Sequence, residues 1–167
     1  MENIVNLKDY PIDPYCSKNR QRLIERCKEE LNTYGMFSLE DFILPSAIER
    51  ALEISLPLLM NESFEHKRSH NVYFENEVKN LEPDHPALRE FNTINHTICG
   101  DQILNSVIYQ LYKWPPMAQF LADVMEKPFL FPMKDQLAGT NVVAYRDGES
   151  LNWHFDRSEF TTTLLLQ

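Results

Sequence analysis

The sequence predicts an α+β chain, helical first and β-rich last. Three observations carry this. Apolar residues recur every three or four positions through the first three quarters, as in Leu23, Cys27, Leu31 and Tyr34. The last quarter alternates instead, with Asn141, Val143 and Tyr145 on one side and Val142, Ala144 and Arg146 on the other. Between the two regimes there is no repeat, low-complexity segment or Gly/Ser-rich linker, so the 167 residues read as one domain.

The elements follow in order. Tyr10-Pro11-Ile12-Asp13-Pro14 is an extended lead-in, because two prolines in four residues hold the chain away from helix. Ser17 caps a first helix that runs to about Tyr34, and Gly35 supplies the left-handed residue that ends it. Met36–Leu39 reads as a short edge strand. A second helix starts at Pro45 and turns Ile48, Ala51, Leu52, Leu58 and Leu59 inward. Pro57 is expected to kink it, or to end it near Leu56.

Residues 61–98 look loop-rich, perforated by Pro83 and Pro86 and suited to a lid, with Val72–Phe74 a short strand. Asp101 then caps a helix that buries Ile103, Leu104, Val107, Ile108 and Leu111. Trp114-Pro115-Pro116 stops it and starts another, which buries Phe120, Leu121, Val124 and Met125 and ends before Pro128. Phe129–Phe131 reads as a strand. Asp147-Gly148 is a hairpin signal, since Gly tolerates positive φ and Asp nearly does. Residues 1–135 thus form a helical N-terminal region and 136–167 a strand region.

Composition sets limits on function. Sixteen basic against 25 acidic residues leave a net charge of −9. Nucleic acid and anionic membranes both require a basic face, so neither is an expected partner. Cys16, Cys27 and Cys99 are odd in number, far apart and lack a Cys-x-x-Cys, which fits free thiols in the cytoplasm. Apolar runs such as Leu56–Met60 are far too short to span a bilayer. With four glycines and neither Gly-x-Gly-x-x-Gly nor Gly-Lys-Ser/Thr, a nucleotide-binding loop is disfavoured. His66, His70, His85 and His96 stand in polar, irregular surroundings and read as surface histidines.

The chemistry centres on Trp153-His154-Phe155-Asp156. Two apart on a strand, His154 and Asp156 point to the same side. An imidazole beside a carboxylate supplies two ligands of the 2-His-1-carboxylate facial set that suits non-haem Fe(II). The spacing alone equally describes a half-buried strand histidine paired with a surface carboxylate.

The run from Asn141 to Phe160, with Tyr145, Gly148 and then His154-x-Asp156, resembles the first half of the double-stranded β-helix (jelly roll) of Fe(II)/2-oxoglutarate-dependent oxygenases. It is closer still to the HalD/BesD-like group of amino-acid hydroxylases and halogenases, and the likeness extends to Tyr34–Phe37 and Leu111–Pro115. The resemblance implies N-terminal helices packed on the β-helix, with Fe(II), 2-oxoglutarate and O₂ as cofactor and cosubstrates. It implies oxidation of a C–H bond of a free amino acid or similar small molecule. His154 and Asp156 become metal ligands. Tyr145 and Asn141 become donors to the bound keto acid, Tyr145 being equally readable as a core tyrosine. Arg157, Glu159 and Arg68 become candidates for gripping the substrate, with Ser158 and Arg146 beside them, although a solvated turn explains Arg157–Glu159 as well. Halogenating members carry a small residue where Asp156 stands, so its carboxylate points to hydroxylation.

In that family the second His ligand and the Arg that binds the far carboxylate of 2-oxoglutarate lie on later strands. No residue after Asp156 matches either, and Phe160–Gln167 reads as a strand in need of neighbours on both sides. The expectation is an N-terminal part of a longer oxygenase, inactive alone, whose last strand pairs with a missing C-terminal half or self-associates. The rival is a non-catalytic half-domain that serves as a binding or assembly partner. A cupin-like metal isomerase or hydrolase is a third reading.

Overall fold

The structure, a computed structural model, describes residues 1–13, 17–75, 77–156 and 158–167. It is α+β: among these residues there are four α-helices and one three-stranded antiparallel sheet. Packing divides the chain into two units, Met1–Leu56 with Cys99–Thr140, and Pro57–Ile98 with Asn141–Gln167. No helix is long and apolar enough to cross a membrane among the described residues.

The first unit is helical. Helix α1, Lys18–Tyr34, begins where the Ser17 hydroxyl accepts the Arg20 N–H. It ends at Gly35, whose N–H donates to the Leu31 carbonyl at 2.9 Å and whose φ of 76° turns the chain out of the helix. Both ends match the sequence expectation. Helix α2, Pro45–Asn61, does not end near Leu56: it continues past Pro57 to Asn61. A proline there forfeits one backbone hydrogen bond, but the last turn is tied down by other means. The Asn61 side chain donates to the Pro57 carbonyl and the Ser63 hydroxyl to the Leu59 carbonyl. The buried stripe of α2 is Ala47, Ala51 and Ser55, small residues four apart, while Ile48, Leu52, Leu58 and Leu59 are only half-buried and Ile54, Leu56 and Met60 are exposed.

The helix expected from Asp101 is two pieces. A 3-10 turn spans Gly100–Ile103, and α3 spans Val107–Tyr112 with its own cap, the Ser106 hydroxyl accepting the Tyr109 N–H. Ser106 breaks the helix because its side chain satisfies a backbone donor that a continuous helix would satisfy internally. Leu104, expected inside, is exposed. Helix α4, Pro115–Val124, starts with proline at its first turn as expected. Phe120 is fully buried and meets Phe37 edge-on at 6.4 Å. Deep in this unit Arg20 pairs with Asp123 at 2.7 Å and donates from Nε to the Ile12 carbonyl at 2.8 Å. Met36–Leu39 and Phe129–Phe131 form no strand.

The second unit carries the sheet, in the order β1-β2-β3. Strand β1 is Phe64–His70, β2 is Phe91–Ile98 and β3 is Val142–Ala144. The stretch 61–98, expected to be loop-rich, therefore holds two full strands, and Val72–Phe74 is a turn between them. The β1–β2 ladder runs from Phe64 opposite Thr97 to His70 opposite Phe91. Its buried polar residues are Thr93, Asn95 and Thr97 on one face of β2 and His96 on the other. Their partners come from the sheet and from the segment after it, as buried polar groups require: the Thr97 hydroxyl donates to Asn95 Oδ1 at 2.8 Å, and His96 Nε2 meets Glu149 Oε1 at 3.1 Å.

Asp147-Gly148 is a turn, but the expected hairpin is not there. His96 pairs with Ala144 and Ile94 with Ser150, both antiparallel. The chain passes along β2 in one direction on both sides of the turn, and residues 145–149 bulge out opposite the single residue Asn95. Gly148, at φ 80°, allows the tight bend. Phe160–Gln167, expected as a strand, has no strand pairing.

Candidate functional site

His154 and Asp156 lie just beyond the bulge, in a segment outside any strand rather than in the expected one. The local path is clamped. The Ile94 N–H donates to the Ser150 carbonyl at 3.2 Å, the Asn152 side chain to the Asn92 carbonyl at 2.7 Å, and the Phe155 N–H to the Val72 carbonyl at 2.8 Å. These bonds hold 150–155 against β2 on one side and the 71–75 turn on the other.

Within this clamp the His154 ring has two oxygen neighbours. Nδ1 lies 2.7 Å from the Asn152 carbonyl, which can only accept, so Nδ1 carries a proton. Nε2 lies 3.2 Å from Asp156 Oδ1. A neutral imidazole that donates from Nδ1 presents a bare lone pair at Nε2, and a lone pair facing a carboxylate is repulsive. A cation between them, proton or metal ion, resolves the conflict. A histidine that ligates a metal through one nitrogen while its other N–H is held by a carbonyl is the usual arrangement. Asp156 is about half-exposed and His154 mostly covered, so the pair opens to solvent from the carboxylate side.

Sequence reasoning missed the group behind His154. His70, expected on the surface, is buried. Its Nδ1 lies 2.9 Å from the Asn71 carbonyl and its Nε2 2.7 Å from the Thr93 hydroxyl. Phe74 stacks on the His70 ring at 4.4 Å, and both rings meet His154 edge-on, at 5.5 and 6.2 Å. Phe74 adopts φ 57°, a left-handed conformation that costs a bulky side chain free energy. Asn71 stabilises that turn: its side-chain oxygen accepts the Tyr73 and Glu75 N–H groups. The signal available in the sequence was Asn71 itself, a residue type whose side chain bonds the backbone two residues on in an Asx-turn.

The remaining candidates are placed as follows. Arg68 is exposed, its guanidinium 4.6 Å over the Phe74 ring, which brings it to the same cluster. Asn141 and Tyr145 flank β3 on its exposed face with Val143, while Val142 points inward. Partial cover of the Tyr145 ring pushes its hydroxyl above the usual value, although nearly half of the residue is exposed. Ser158 and Glu159 are exposed. Arg157 lies outside the described residues. His96, also expected on the surface, is buried against Glu149, while His66 and His85 are exposed as expected. Cys27 and Cys99 are free thiols, Cys27 fully buried and its thiol pushed up by that burial; Cys16 lies outside the described residues.

The donor set fits an Fe(II) ion in part. His154 Nε2 and Asp156 Oδ1, 3.2 Å apart, are donors of the right kind. No group of three His, Cys, Asp or Glu side chains able to hold a metal ion occurs among the described residues. His70 does not complete the set, because both of its nitrogens are engaged elsewhere. No protein-family model, curated protein or solved structure matches the chain.

Proposed function

We propose that the chain carries the His154–Asp156 half of an Fe(II) site, within a jelly-roll oxygenase that uses 2-oxoglutarate and O₂ to hydroxylate a free amino acid or similar small molecule in the cytoplasm. The observation that carries this reading is the ring of His154, anchored at Nδ1 by the Asn152 carbonyl and facing Asp156 through Nε2. The likeness of residues 141–160 to that oxygenase group supplies the reaction class. In this reading the third ligand and the cation for the far carboxylate of 2-oxoglutarate come from a further stretch of polypeptide, in this chain or a partner. Bound iron would supply the redox chemistry. His154 and Asp156 would hold it, and Arg68, Arg157 and Glu159 are the charged groups for an amino acid's carboxylate and ammonium. Tyr145 and Asn141 are the donors proposed for the keto acid.

A second reading, a non-catalytic half-domain acting as an assembly partner, accommodates the two-donor pair found among the described residues. The two separate by adding Fe(II) and 2-oxoglutarate without oxygen to the protein isolated from its source cell. The oxygenase reading expects a visible charge-transfer band that His154→Ala abolishes. A protein with no band, or one whose band survives His154→Ala and Asp156→Ala, is not this oxygenase.

A further inference from the structure

We infer that His70 and Thr93 are positioning residues for His154, joined to it by one directed chain of hydrogen bonds; this rests on reading His154 and Asp156 as a metal-holding pair. The direction follows from which groups can only accept. The Asn71 carbonyl accepts, so His70 Nδ1 donates to it at 2.9 Å. With its proton on Nδ1, a neutral His70 offers a lone pair at Nε2, and the Thr93 hydroxyl donates into it at 2.7 Å. That fixes a rotor that is otherwise free to turn. The Thr93 oxygen then has its lone pairs left over, and one accepts the Asn152 N–H at 3.3 Å. Asn152 is the residue whose carbonyl accepts from His154 Nδ1 at 2.7 Å. The chain ends at His154 Nε2, with its proton demand already met on the other nitrogen and Asp156 in front of it.

Burial makes the arrangement a built one. His70 is 5 % exposed and Thr93 3 % exposed, so neither hydrogen bond competes with bulk water. Cross-strand pairing puts the two side by side: Arg68 pairs with Thr93, and His70 with Phe91, on the β1–β2 ladder. Phe74 completes the support from the other side, stacked on His70 and edge-on to His154. A ring gripped in this way presents Nε2 in one direction only, and removing such support around a metal-binding histidine typically weakens the metal about tenfold to a hundredfold.

Thr93→Val tests this, because valine keeps the shape and removes the hydroxyl. Thr93→Ser restores it. Nitrogen-15 NMR of the metal-free chain is expected to show a slowly exchanging His154 Nδ1–H in the wild type and in Thr93→Ser, and a rapidly exchanging one in Thr93→Val. Titration with Co(II) alone is expected to give affinity at least tenfold weaker for Thr93→Val than for the wild type or Thr93→Ser. Should Thr93→Val fail to fold, the wild type still decides: a His70 proton found on Nε2 rather than Nδ1 reverses the chain and overturns the inference. A folded Thr93→Val that keeps the protected proton also overturns it, as does one that keeps wild-type Co(II) affinity. A wild type that takes up no Co(II) removes the metal half-site instead, and the proton measurement still judges the hydrogen-bond chain.

Discussion

His96 Nε2 meets Glu149 Oε1 at 3.1 Å, and with that contact the middle strand holds the bulge 145–149 in place. The other oxygen of the same carboxylate accepts the Arg146 N–H at 2.8 Å. One side chain thus closes the loop on itself and fastens it to β2.

This carboxyl makes stability depend on acid. The Arg146 backbone N–H holds Glu149 below its ordinary value of 4.5, with the His96 ring adding to the effect. Because the folded value lies below the unfolded one, the unfolded chain takes up the proton first as pH falls. The stabilisation is present in full above the ordinary value and is lost as pH drops through the folded one. Urea midpoints measured from neutral pH into the acid range should fall more steeply for the wild type than for Glu149→Gln.

Arg20 is the group whose loss should cost the helical unit most among its polar residues. Its side chain is 4 % exposed and that of its partner Asp123 30 %. Arg20→Ala removes the donor to the Ile12 carbonyl and the cation beside Asp123 Oδ2, leaving the Gln119 amide on Oδ1 at 2.8 Å. The expected loss is about 3 kcal/mol, the lower end for breaking a buried pair, since Asp123 can recover some hydration. Chemical denaturation at neutral pH measures it.

Two glycines should respond differently to the same change. Gly35 has open space around it but φ 76°, so Gly35→Ala should cost about 1 kcal/mol of backbone strain. Gly100 would place a methyl group 2.3 Å from the Gln136 carbonyl oxygen and 2.9 Å from that of Thr140. Those neighbours are backbone and cannot swing away, so Gly100→Ala should cost about 3 kcal/mol or more. Paired thermal melts that rank the two the other way would contradict this packing.

The ends of α1 and the start of α4 were legible in the sequence because their stop and start residues act locally. Ser17, Gly35 and Pro115 each govern a backbone group within a few residues, and each does what its chemistry demands. The sheet was not legible. Strand β1 has Glu65, His66, Lys67 and Arg68 in a row and is exposed up to His70, so no alternation of apolar and polar marks it. Its partner buries Thr93, Asn95, His96 and Thr97, which look like surface residues until His70, Glu149 and Asn152 meet Thr93 and His96, and Thr97 bonds Asn95. The site divides the same way. His154 and Asp156 could be picked out as neighbours from their spacing, whereas His70 and Thr93 meet only through pairing across a 20-residue connection, 71–90.

The bulge at 145–149 also separates length from register. Ala144 and Ser150 are each anchored to β2, so residues inserted between Asp147 and Gly148 have nowhere to go but outward. Such an insertion leaves His154 and Asp156 facing each other while Glu149 keeps its grip on His96. The loop is therefore a port into which a short peptide or reporter can be spliced beside the candidate site without redesigning the sheet that carries it.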